Sequence, residues 1–294
     1  MELRQLKYFQ AVSRLKSITR AAEQLHIAQP AVSIAIKKLE EELGVQLFDR
    51  SQKQVALTVE GEIFLQRIDD ILSRLQDTLT EISDYRTFQK GAIRVGVPPM
   101  IGAFLFPFLF NEFHQAYPQL ELVIAEEGSL SIKTQLERGE LDVGIMILSA
   151  VSPHLETTAI TSGEIFVCLP PEHPLGRLEK VPWEELREQP FILLKEDTYG
   201  RQLVLEECTR HQFSPRVVFS SSQIETILGL VEQGTGITFL LDTIVRKHPN
   251  IISRPLTEPL FIEAGLVWNK DRYLSKATQA FIGFIRDFSW RFRD

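Results

Sequence analysis

Leu3, Leu6, Phe9 and Val12 stand at the spacing of one amphipathic helix. A second helix is expected over 18–25, with Ala21, Ala22 and Leu25 turned inward, and two adjacent alanines let another backbone approach closely. His26-Ile27-Ala28 reads as a turn. Pro30 suits the first position of a third helix, where a missing N–H costs nothing, and that leaves Gln29 at the cap. Along this third helix Val32, Ile36, Leu39 and Leu43 form a buried stripe. Gln29, Ser33 and Lys37 recur every four residues on a different, polar face.

Residues 44–58 have short apolar ends around the polar tip 49–54, the pattern of a two-stranded wing. Thr58 is placed to cap a helix running to about residue 88. In it Leu65, Ile68, Leu72, Leu75, Leu79 and Ile82 alternate steps of three and four, an a/d seam. A helix of nearly thirty residues spans roughly 40 Å at about 1.5 Å per residue. That is too long for a connector alone, and the seam fits pairing with a second copy. Packing against its own N-terminal domain is expected at other points along it.

After a hinge at 87–91 the pattern changes to alternating strands and helices, the mark of an α/β domain with a largely parallel sheet. Strands are expected at 93–97, 120–125 and 143–147, with helices at 104–117 and 129–138. A second set follows: strands at 165–169, 191–194, 216–219 and 237–241, with helices at 202–211 and 223–232. Two sets imply two lobes. The strand 262–269 and the helix 276–292 return the chain to the first. The expected organisation is 1–58 for a winged helix-turn-helix, 59–88 for a linker helix and 89–294 for a two-lobed domain. Lobe I takes about 92–161 and 269–294, and lobe II about 162–268.

Charge changes the picture at the N-terminus. Residues 1–38 carry seven basic side chains against Glu2 and Glu23, whereas the chain of 294 residues has a net charge of −7. A local basic patch on an acidic protein is a footprint for phosphate. A helix-turn-helix inserts the start of its second helix into the DNA major groove. There Gln29 suits bidentate pairing with adenine, and Ser33 can bond to either kind of base edge. With 44% apolar and 24% charged residues, the composition is that of a soluble globular protein. No apolar run reaches the length of a membrane span, and MELRQLKYF lacks a signal-peptide core. Cys168 and Cys208 make no disulfide framework, so a bacterial cytoplasmic location is expected.

Several motifs are far more specific than a helix pair. They are Leu3-Arg4-Gln5-Leu6-Lys7-Tyr8-Phe9, Ala21-Ala22-Glu23-Gln24-Leu25, Ala28-Gln29-Pro30-Ala31-Val32-Ser33 and Ile36-Lys37-Lys38-Leu39-Glu40. Leu43-Gly44, Leu47-Phe48-Asp49-Arg50 and Leu57-Thr58 with Glu60-Gly61 follow. In order and spacing these closely resemble the LysR-type transcriptional regulators, and the likeness covers essentially the whole chain. One departure is Ile34-Ala35, where many members have Arg-Gln.

The resemblance implies a winged helix-turn-helix, a dimerising linker helix and a periplasmic-binding-protein-like effector domain. It implies a homodimer or homotetramer on double-stranded promoter DNA, a small-molecule effector between the lobes, RNA polymerase as a partner, and no cofactor. Closure of the lobes would shift the DNA-binding heads. Gln29, Pro30, Ser33 and Lys37 are the expected groove contacts, with Arg50 and Lys53 of the wing on sugar-phosphate.

Effectors of α/β lobes sit at strand ends, beside helix starts. Pro99, Met100, Ile101, Gly128, Ser129, Thr198, Tyr199, Ser221 and Ser222 lie in the loops so placed. Family members often bind an effector carboxylate through a hydroxyl in the first loop, but Pro98, Pro99 and Met100 have none. A small carboxylate is therefore expected to lean on Ser129, Ser222 and Thr198, with Met100, Ile101 and Phe104 as an apolar wall. Plain readings stand beside these: Ser129 and Ser222 as helix caps, Arg201 as a first-turn surface residue.

Catalytic and metal-binding patterns are missing from the sequence. It has no nucleophile elbow, P-loop or HExxH, and its histidines lack ligand spacing. A thiol switch, known in the family, needs an accessible cysteine of low pKa. The rival readings are a solute-binding module with an accessory N-terminal domain, a nonspecific architectural DNA-binding protein, and an α/β enzyme using the cleft.

Overall fold

A computed structural model describes residues 1–49, 55–86, 91–148 and 152–288. The chain forms two compact units, Met1–Thr80 and Glu81–Asp294.

In the first unit, α1 (Leu3–Leu15), α2 (Ile18–Gln24) and α3 (Gln29–Leu43) pack on one another. Ser17 caps α2 by accepting from the Arg20 N–H at 3.3 Å. His26 turns the chain in the left-handed region, at φ 54°. Ala28, not Gln29, is the residue before α3, so Gln29 and Pro30 are its first two helical positions. Proline is tolerated there because those N–H groups have no intrahelical acceptor. Leu6, Phe9, Val12, Ala21, Ala22, Val32, Ile36 and Leu39 share one core. The expected fourth member of the stripe, Leu43, is 37% exposed, because the chain leaves the core at Gly44.

The wing strands β1 (Phe48–Asp49) and β2 (Ala56–Leu57) pair antiparallel, and the tip that carries Arg50 and Lys53 lies outside the described residues. Thr58 accepts from the Gly61 N–H at 3.0 Å and opens α4 (Val59–Arg86). Gly61 sits where a Cβ would lie 2.1 Å from the Leu47 carbonyl oxygen, so the wing and α4 meet backbone to backbone. Glu40 is buried at 6% exposure, and its Oε1 accepts from the N–H groups of Leu47 (2.9 Å) and Phe48 (3.2 Å). Asp69 on α4, also buried, accepts from Gln10 at 2.6 Å and Arg14 at 2.9 Å on α1.

In the second unit, β3 (Gly91–Val97) lies between β4 (Leu120–Glu126) and β5 (Val143–Ile147), parallel to both. The expected first helix is two: α5 (Pro99–Phe104) and α6 (Phe106–Ala116), with Leu105 between them and Pro107 opening the second. The helix α7 (Ser129–Arg138) covers one face of this sheet through Ile132 and Leu136. Leu109 and Phe113 of α6 share the core on the other face with Phe281 and Ile285 of α11 (Lys276–Phe288).

Two long strands, β6 (Leu155–Leu169) and β11 (Leu260–Asn269), pair antiparallel along their length. Ile160, Ala264 and Leu266 belong to the first lobe's core, and Ile165, Leu260 and Ile262 to the second's. The return crossing thus falls near Glu263, earlier than residue 269. The sheet order is β10-β6-β11-β5-β3-β4, with β9 (Thr238–Leu241) on β6 and β10 (Ile252–Arg254) at one edge. It is mixed rather than largely parallel, because β11 is antiparallel to β5 and β6. The second lobe adds β7 (Pro190–Leu194), α8 (Tyr199–Arg210), β8 (Arg216–Ser221), α9 (Ile224–Glu232) and α10 (Asp242–Val245).

Removing the Glu40 carboxylate strands two buried N–H donors. Glu40→Ala should therefore lower stability by about 1–3 kcal/mol, read as an earlier thermal transition by circular dichroism. Glu40→Gln, which keeps an acceptor oxygen, should lose less.

Candidate functional site

Packing decides which side of α3 meets solvent. Val32, Ile36 and Leu39 are at most 4% exposed, so the residues one third of a turn away stand outside. Gln29 and Pro30 are exposed and Ser33 is half-buried. The Gln29 Nε2 donates to Ser33 Oγ at 2.9 Å, which orders both side chains along the same face. Lys37 is exposed and lies 3.6 Å from Glu41 one turn on. Ile34, at the position of the departure from the family pattern, is 56% exposed and brings an apolar group to this end of the helix. The start of α3 therefore presents amide, hydroxyl, ammonium and methyl groups, which suits hydrogen bonds and apolar contacts to base edges.

The six seam residues of α4 divide. Ile68 is 1% exposed in the core of its own unit, and Leu65 and Leu72 pack against that core. Ile68 is thus corrected from a pairing position to a core residue, because α1 and the wing cover that side of the helix. Leu75 is half-buried, while Leu79 and Ile82 are 54% and 56% exposed. Ile71, 50% exposed, extends this outer stripe at helical spacing. At the end of the helix Asp84 Oδ2 accepts from the Tyr273 hydroxyl at 3.1 Å and the Lys276 N–H at 2.9 Å. Asp84 therefore caps α11.

The cleft residues are brought together, but several are already engaged. Pro99 opens α5, so the first loop is helical. Met100 is 3% exposed in the second lobe's core and Ile101 is fully buried in the first's. Both are packing residues, and this corrects the expected apolar wall. Ser129 is buried at 2% and Thr198 at 4%, and the Thr198 hydroxyl donates to the Lys195 carbonyl at 2.6 Å. Gly128, at the start of α7, donates its N–H to Asp197 Oδ2 at 2.9 Å. The Gly128 N–H at the start of α7 is thus taken by a side chain of this protein. Asp197 escaped sequence reasoning; its one signal was its place beside Thr198.

Tyr199 is half-buried, and burial followed by the charge of Glu206 raises its phenol above the usual range. Ser221 Oγ accepts from the Gln223 N–H at 3.0 Å, and Ser222 is exposed. Arg201 is not a surface residue: its side chain is 11% exposed. It donates to the Leu194 carbonyl at 2.9 Å and to Ser220 Oγ at 2.7 Å.

Elsewhere Glu207, His211 and Glu258 bring ligand-type atoms within 4.8 Å of one another. The Arg210 guanidinium bridges the two carboxylates at 2.5 Å each, so a resident cation already sits between them. Cys168 and Cys208 are buried, and burial pushes each thiol up to about 12. No helix among the described residues is long and apolar enough to cross a membrane.

Comparison with known proteins bears on both units. Residues 3–62 match the family model for the bacterial regulatory helix-turn-helix protein of the lysR family, and residues 87–290 match the LysR substrate binding domain. The chain is 33% identical over 293 residues to the HTH-type transcriptional regulator YwbI of Bacillus subtilis, covering 99% of this chain and 97% of that one. A full-length OxyR variant from Pseudomonas aeruginosa is similar at 28% identity and a TM-score of 0.60, over 98% of this chain and 99% of that one. The fold of CbnR, a LysR family transcriptional regulator, matches at a TM-score of 0.67 and 19% identity, over 98% and 99% of the two chains. The chain belongs to the LysR family: it is a transcriptional regulator rather than an enzyme, with an N-terminal helix-turn-helix for DNA and a C-terminal effector-binding domain.

Proposed function

We propose that this regulator reads a partly palindromic promoter site as a dimer, with Gln29 and Ser33 on base edges and Pro30 and Lys37 beside them. The observation that carries the reading is the outward row Gln29, Ser33 and Lys37 at the start of a helix whose other side is core. Arg50 and Lys53 of the wing contact sugar-phosphate on this reading, which rests on their sequence positions. Dimerisation uses the outer stripe Ile71, Leu75, Leu79 and Ile82 of α4, since apolar side chains half exposed at helical spacing favour burial against a second copy.

Effector domains double the dimer to a tetramer. In support, α6 exposes Phe108 (59%) and Phe110 (39%) beside the sheet-edge strand β4, where Val123 is 45% exposed. A cavity of about 280 Å³ lined by Phe110, Phe113, His114 and Leu122 lies there too. An unpaired strand edge next to exposed aromatics favours a partner. The effector binds between the lobes, near Tyr199, Ser221 and Ser222. It biases whichever domain arrangement it binds more tightly, and the regulated partner is RNA polymerase in the cytoplasm.

Footprinting upstream of the protein's own gene tests the reading; equal protection of any sequence would defeat it in favour of an architectural role. Gln29→Ala should cost about 1–3 kcal/mol of discrimination between the cognate site and a site with a changed base pair. Lys53→Ala should weaken binding on all sequences alike and flatten the salt dependence. Both are measured by titrating labelled duplexes. Charges at Leu79→Glu with Ile82→Glu should shift the assembly to smaller species in analytical ultracentrifugation, whereas Ile68→Glu should unfold the N-terminal unit. The thiols stay protonated at neutral pH, so iodoacetamide should leave folded Cys168 and Cys208 unmodified by mass spectrometry and DNA affinity unchanged.

A further inference from the structure

Contact between the lobes at the start of α7 is made by the protein itself. Gly128 donates its N–H to the Asp197 carboxylate at 2.9 Å, and Leu130 donates its N–H to the Asp197 carbonyl at 3.1 Å. Gly128 and Leu130 are in the first lobe; Asp197 stands two residues before α8 of the second. A helix start offers unpaired N–H groups and the positive end of its dipole, so a carboxylate is stabilised there. The fit is close, since a Cβ on Gly128 would lie 2.4 Å from Asp197 Cγ. A second contact lies beside it. Met100 enters the second lobe's core, with its Cε 2.8 Å from where a Cβ of Gly200 would stand.

The segments beside this contact carry charge of both signs. Glu126 and Glu127 are exposed at the end of β4. Glu196, 91% exposed, lies 3.9 Å from the Arg201 guanidinium, which also donates to Leu194 and Ser220, and Lys195 is exposed.

We propose that Asp197 is the specificity-determining residue of the effector cleft. It fills the anion position at the start of α7, latches the two lobes together without ligand, and turns the cleft from carboxylates toward neutral or cationic effectors. The proposal deepens the reading of the cleft as the effector site and rests on it. It replaces the carboxylate expected on Ser129, Ser222 and Thr198. An incoming carboxylate finds the Gly128 N–H taken and meets like charge from Asp197. A neutral or cationic group meets no such repulsion.

The test uses the full chain labelled with 15N-glycine and 15N-leucine, as wild type, Asp197→Ala and Asp197→Asn. In Asp197→Ala the Gly128 amide should exchange with solvent about tenfold faster or more, the loss of a charged hydrogen bond. Leu130 should accelerate as well. Its bond goes to the backbone carbonyl, which the substitution leaves in place, so its acceleration reports separation of the lobes. Slow exchange at Gly96 and Gly144 in the sheet marks the variant as folded. Sodium acetate, balanced against chloride, should move the Gly128 resonance in Asp197→Ala and not in wild type, while acetamide should not distinguish the two.

Unchanged Leu130 exchange in a folded Asp197→Ala overturns the latch. An acetate response at Gly128 in wild type, or in neither protein, overturns the charge selection. Should the alanine variant fail to fold, Asp197→Asn carries the acetate arm, and a response no greater than wild type's counts against the proposal. The effector reading fails on a different observation: a panel of neutral and cationic metabolites that moves no cleft amide in wild type, whatever the exchange rates show.

Discussion

Burial of Val32, Ile36 and Leu39 against α1 and α2 is the constraint that sets which side of α3 faces solvent. A helix has one rotational setting once its apolar stripe is covered. With that setting, Gln29 and Lys37 stand in solvent, Ser33 is half-buried on the same face, and Pro30 lies at the helix start. The core does more than stabilise: it aims four side chains. Glu40 adds to this from within α3, since its buried carboxylate fixes the first residues of the wing to the same helix that carries the polar row. One helix thus sets the position of that row and of the first wing strand.

The long helix α4 shows how one apolar repeat serves two environments. Its early turns have α1 and the wing against them, and there Ile68 and its neighbours become core. Its later turns have no such cover, and Leu79 and Ile82 remain exposed. Asp69 and Asp84 mark the two ends of this change. Asp69 is buried among α1 side chains, whereas Asp84 caps α11 of the effector domain.

In the effector domain the two lobes share β6 and β11, and each strand leaves one hydrophobic core for the other partway along. Beyond these strands the lobes also touch where α5 packs on α9 and α10, where Met100 meets Gly200, and where Asp197 sits on the start of α7. The last two contacts occupy ground that an α/β cleft ordinarily offers to a ligand.

Residue spacing was enough to specify most of the element order, the inward stripe of α3, the polar row on its other side, the paired strands of the wing and the two-set organisation of the effector domain. These follow from steps of three to four in helices, from alternation and turn residues, and from the family motifs, all local along the chain. Packing settled the rest. Nothing within α4 distinguishes Ile68 from Leu79, because both occupy the same repeat and only their neighbours from distant segments differ. Met100 and Ile101 look like cleft lining until the opposite lobe supplies a core for one of them. Asp197 and Gly128 are 69 residues apart, and their hydrogen bond exists only once the two lobes meet. Local pattern fixes which face of an element is apolar; what covers that face, and which polar groups are already satisfied, is a property of packing in three dimensions.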